Sequence, residues 1–124
     1  MSRSSVELIT DFLDTLRSLS TGSYLREGER EFWDPPYPPE VAADAAEILR
    51  RLTVDIRQEP TEMSLAVIAA YGALSALSER HGDAVFEEEE QNDFRVIVSA
   101  LAAEHNQDGE SVLTDLDRIT GEDD

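Results

Sequence analysis

Residues 63–78, MSLAVIAAYGALSALS, carry no charged side chain in a chain that is charged almost everywhere else. Leu65, Ile68, Tyr71, Leu74 and Leu77, with Val67 beside them, recur at helical spacing and predict one bulky stripe. Ala66, Ala69, Ala70, Ala73 and Ala76 occupy the other faces and let neighbouring helices approach on several sides. A helix that is apolar all round belongs in a core or in a membrane. Spanning a bilayer takes about 20 apolar residues. This run is shorter, contains serines and is flanked by Glu62 and Glu79. The expectation is therefore a central core helix near residues 62–81, started by Pro60-Thr61 and stopped by Gly82-Asp83.

Four further segments have helical periodicity. Ser4-Ser5-Val6-Glu7 fits a capping box, followed by an apolar stripe of Val6, Ile9, Phe12, Leu13, Leu16 and Leu19 that ends at Thr21-Gly22. Pro39 and Glu40 suit the first turn of a second helix, with Val41, Ala45, Ile48, Leu49, Leu52 and Ile56 on its inner side. The short link to the next helix makes these two antiparallel neighbours. Phe94, Ile97, Val98 and Leu101 define a fourth helix that opens on the acidic run 87–90 and breaks at His105. Val112, Leu113, Leu116 and Ile119 mark a short fifth. Between the first two helices, Trp33-Asp34-Pro35-Pro36-Tyr37-Pro38-Pro39 reads as an extended connector. The predicted fold is all-α: a small antiparallel bundle of four main helices plus a short C-terminal one. It is one domain over residues 1–121, with a fraying acidic tail at 122–124.

Charge decides which functions remain open. Asp and Glu number 28 against 10 basic residues, for a formal charge of -18. All the basic residues are arginine. A surface of this sign opposes direct binding to nucleic acid and to anionic membranes. Such acidity is what a halophilic-type composition produces and also what a surface evolved for a basic partner presents. The missing lysine weighs towards the former, because a partner surface alone would not purge one residue type from the whole chain. Without cysteine there is no disulfide or thiolate metal site. A charged helix so near Met1 leaves no room for a signal peptide, so the expected compartment is cytoplasmic.

Motifs for chemistry are sparse. No G-x-S-x-G elbow and no glycine-rich phosphate loop occurs. His81 and His105 fall near helix C-termini, where a cation complements the helix dipole. Residues 104–115, from Glu104 through Asp108-Gly109 to Asp115, partly match a calcium loop, though Asp108-Gly109 also suits an ordinary turn. Two carboxylate pairs stand at i, i+3 on helices: Asp44 with Glu47, and Glu90 with Asp93. With these motifs the chain resembles the all-α nucleotide pyrophosphohydrolases, which pair an E-x-x-E helix with an E-x-x-D helix around magnesium. Asp44 stands in place of the first Glu, and a whole helix separates the motifs. That resemblance implies a Mg²⁺ site at Asp44, Glu47, Glu90 and Asp93, with metal-activated water attacking a nucleotide phosphate.

The leading functional expectation is a non-enzymatic interaction protein, a monomer or small homo-oligomer, binding a basic protein partner. Inhibitors, antitoxins and DNA mimics work this way, by electrostatic steering and charge complementarity. The expected contact patch is Glu87, Glu88, Glu89, Glu90 and Asp93, with Trp33 and Tyr37 as aromatic anchors. The phosphohydrolase, with its magnesium, is the alternative.

Overall fold

Helix boundaries follow from local backbone chemistry. The structure is a computed structural model that describes residues 4–21 and 38–120, and within them it is all-α, with no strand. Helix α1 (Ser5–Thr21) opens with the expected capping box. The Glu7 N–H donates to Ser4 Oγ at 3.2 Å, and the Ser4 N–H reaches Glu7 Oε1 at 3.5 Å. Helix α2 (Glu40–Gln58) starts directly behind Pro39. A single 3-10 turn, Pro60–Glu62, leads into α3 (Met63–Glu79). Helices α4 (Glu88–Glu104) and α5 (Gly109–Thr120) complete the described chain.

Helices α3 and α4 stop by the same device. The Asp83 N–H donates back to the Ser78 carbonyl at 2.8 Å, and the Gln107 N–H to the Ala102 carbonyl at 2.8 Å. Such bonds need left-handed backbone at the turn. Gly82 (φ 69°) and Asp83 (φ 61°) supply it after α3, and Asn106 (φ 57°) after α4. Asp83 and Asn106 belong to the non-glycine residue types that tolerate this region best.

The main packing pairs are α1 with α2, α2 with α3, α3 with α5, α5 with α4, and α4 with α1. They close a circuit around one core, to which all five helices contribute, with Leu16, Leu49, Leu74, Phe94 and Leu116 among the fully buried side chains. Phe94 packs edge-on against Tyr71 of α3 at 6.1 Å and against Phe86 at 5.9 Å. Pairs of this geometry add about 0.5–1.5 kcal/mol beyond burial.

The circuit corrects the expectation of a central helix. Each helix has two main neighbours and so retains an outward side, α3 included. Met63, Val67, Ala70, Leu74 and Leu77 face the core, whereas Leu65 is 65% exposed and Ala69, Gly72 and Ala76 are exposed with it. The inward stripe is thus rotated from the one read in the sequence. Val6 of α1 and Ile119 of α5 also lie outside at 71% and 63% exposure. By length and composition Pro60–Glu79 is apolar enough to cross a membrane, with 33% of that window buried. Its inward stripe belongs to the core shared with α2 and α5. The expected tail at 122–124 lies outside the described residues.

Candidate functional site

The acidic run at the start of α4 is partly structural. Glu87 caps the helix and forms a capping box with Glu90: the Glu87 side chain accepts from the Glu90 N–H, and the Glu87 N–H donates to Glu90 Oε1 at 2.9 Å. Glu90 is only 8% exposed. Burial pushes its carboxyl above the ordinary range, and the charges of Glu87 and Glu89 push the same way. Two backbone hydrogen bonds oppose that rise. Partial burial, then Glu89, also raises Asp93. The outer surface of the run is therefore Glu87, Glu88, Glu89 and Asp93, with Glu90 turned inward. The arginine ion pairs to Asp14, Glu47, Asp55, Asp115 and Asp117 all lie elsewhere. Trp33 and Tyr37, the expected aromatic anchors, fall outside the described residues.

The two carboxylate pairs do not meet. Among the described residues, no three Asp, Glu or His side chains come together as metal ligands, so Asp44, Glu47, Glu90 and Asp93 form no shared site. Glu47 is instead engaged by Arg50 on its own helix, and that hydrogen bond holds its carboxyl below the usual range. Helical spacing put each pair on one face but said nothing about which way the two faces turn.

Residues 104–115 likewise serve the fold. Glu104 receives two hydrogen bonds from Ser5, from the backbone N–H at 2.8 Å and from Oγ at 2.7 Å. Those donors hold its carboxyl below the ordinary range. Asp108 caps α5 by accepting from the Glu110 N–H at 3.1 Å. Asp115 accepts from Ser64 Oγ at 2.7 Å. The carboxylates of the calcium-like motif are thus spread over three separate contacts. Gly109 sits in the first turn of α5, where a Cβ would lie 3.6 Å from both Ala102 and Ser99. His105 Nδ1 lies 2.9 Å from the Leu101 carbonyl, which suits the expected capping role.

Two recesses on the outer surface differ in lining. Between α2 and α3 lies a groove of about 260 Å³ floored by Ile48, Leu52, Ala66 and Ala73. Glu47, Asp55 and Arg51 line it too, so both signs of charge are present. Between α1 and α4 runs a groove of about 650 Å³ floored by Leu8, Val96, Ala100 and Ala103, with Glu7 and Glu104 beside them. A smaller recess of about 130 Å³ continues it, sharing Leu8 and Val96 and adding Asp11 and Asp93. Among the described residues, no arginine lines either part.

Periodicity did not reveal Ser78 or the Ser5–Glu104 contact. Ser78 is buried, and its Oγ accepts from the Val85 and Phe86 N–H groups at 3.1 and 2.9 Å. Its position in an apolar helix, next to the stop signal, was the available clue. Comparison with protein-family models, curated proteins and solved structures finds no match for this chain.

Proposed function

We propose that the protein is a non-enzymatic, acidic interaction protein of the inhibitor, antitoxin or DNA-mimic type, binding a basic protein partner in the cytoplasm. The observation that carries this reading is the outer surface at the start of α4. Glu87, Glu88, Glu89 and Asp93 are exposed there, and the described ion pairs place no arginine on them. Like charges held this close raise the energy of the free protein, and a cationic partner relieves it while gaining association rate from steering. The meeting of Ser5, at the start of α1, with Glu104, at the end of α4, supports an antiparallel bundle as the scaffold.

The test is affinity capture from native lysate with the wild type and with a Glu88→Gln, Glu89→Gln, Asp93→Asn variant, after matching their thermal melts. The reading expects basic proteins to be retained by the wild type, lost from the variant and eluted by salt. Capture unaffected by neutralising the patch would contradict it. So would an absence of basic proteins from what is captured, which would leave the acidity as a halophilic-type composition.

A further inference from the structure

We infer that the α1/α4 groove is a docking site for a basic amphipathic helix of a partner protein. This rests on the interaction reading above and assigns it a surface and a class of ligand.

The floor comes first. Val96, in the middle of α4, is 52% exposed, although valine at that place gains nothing from water. Leu8 lies across from it on α1 and is only partly buried against the core. Ala100 and Ala103 extend the strip along α4, and their small side chains leave the recess of about 650 Å³ open. An apolar strip between two packed helices accepts the apolar face of a third, and helix-in-groove recognition uses this geometry.

The rim decides what kind of helix. Glu7 borders the strip on α1 and Asp93 borders its continuation on α4. Partial desolvation raises the Asp93 carboxyl above its ordinary range, and Glu89 adds to this, so a cation beside it is favoured. Lining that combines carboxylates with an apolar floor, and has no arginine among the described residues, is complementary to leucine-like residues flanked by cations. The α2/α3 groove has a comparable floor, but Arg51 stands on its edge beside Glu47 and Asp55. Both of those acids are paired on their own helix, Glu47 with Arg50 and Asp55 with Arg51, so that lining offers a cation less.

Fluorescence anisotropy with the full chain tests this at near-physiological salt. The probe is a labelled peptide of about 18 residues, long enough for five helical turns, with leucine on one face and lysine on the other. The control has the same composition scrambled. The patterned peptide should bind at least roughly tenfold tighter than the scrambled one, a difference of about 1.4 kcal/mol. Val96→Arg, and independently Ala103→Arg, should weaken it by a similar factor, while Leu65→Arg on the exposed side of α3 should not. Equal binding of both peptides, untouched by Val96→Arg, would overturn the groove and leave the acidic-surface reading standing. Loss on Leu65→Arg alone would overturn it in favour of the other face. Failure of both peptides to bind would count against both readings.

Discussion

Two grooves of similar construction lie on the protein, one between α1 and α4 and one between α2 and α3, and they differ in charge. Each is a shallow apolar strip between neighbouring helices of the circuit. In the α2/α3 region the acids are matched on their own helix: Arg50 pairs with Glu47 and Arg51 with Asp55. Along the α1/α4 lining, Glu7 and Asp93 occur with no arginine among the described lining residues. The difference teaches that an excess of acid need not spread evenly. Intrahelical pairs of this kind contribute only about 0.3–0.5 kcal/mol each, so their placement shapes surface potential more than stability. A face without them keeps a field that a cationic partner can neutralise.

Both faces lean on one core, and breaking that core should erase the comparison. Phe94→Ala removes the ring that packs on both Tyr71 and Phe86 and should destabilise by about 3–5 kcal/mol in urea unfolding. Ser78→Ala strands the Val85 and Phe86 N–H groups, both on buried residues. About 2 kcal/mol should be lost, within the range for an unsatisfied buried donor. A value near zero would show that water replaces the hydroxyl.

The next two changes address one face each. Glu104→Ala frees the two Ser5 donors and unpins the start of α1 from the end of α4. A loss of about 1 kcal/mol is expected, as for other helix caps. Its sign with pH is also fixed. The folded carboxyl titrates below its unfolded value, so its contribution is present above the unfolded pKa of about 4.3 and disappears as pH falls through the folded pKa. Glu90 and Asp93 run the other way. Their folded pKa values are raised, so their contribution is present below the unfolded values and is lost as pH rises through the folded ones. On the opposite face, Gly72 is exposed in mid-helix, and a Cβ there meets nothing within 4 Å. Gly72→Ala should stabilise by about 0.5–1 kcal/mol, which thermal melts resolve. A destabilisation would mean that the α3 face is occupied in solution.

The smallest effect gives the sharpest contrast. Asp55→Asn breaks the pair with Arg51 and should destabilise by about 0.3 kcal/mol at low ionic strength. Asp93→Asn removes an acid whose pKa is raised by partial desolvation and by Glu89, and should stabilise by about as much. The same chemical change then has opposite signs on the two faces, and concentrated salt should reduce both.

Much of the fold was legible because its signals are local. The Ser4–Glu7 capping box, Pro39 ahead of α2, and Gly82 after α3 each act within a few residues. Buried stripes on α2 and α4 were legible too, because polar residues on the opposite sides set their phase. Helix α3 has no such residues, so its sequence fixed an apolar helix without saying which side turns inward. Leu65 is at least as apolar as Met63, yet Leu65 is outside and Met63 is buried. The site was harder to read. Glu104 finds Ser5 across 99 positions of sequence, and Ser64 meets Asp115 across 51. Equally, the i, i+3 spacing of Asp44 with Glu47 and of Glu90 with Asp93 is real on each helix, but only the tertiary arrangement keeps the pairs from converging.

The central claim is that charge placement makes the α1/α4 groove, and not its α2/α3 counterpart, the binding face. Amide chemical shifts during titration with the leucine–lysine peptide test this most directly. Perturbations should map to Leu8, Asp93, Val96, Ala100 and Ala103, with Ile48, Ala66 and Ala73 unmoved. Shifts centred on the α2/α3 groove, or spread evenly over every acidic surface, would contradict it.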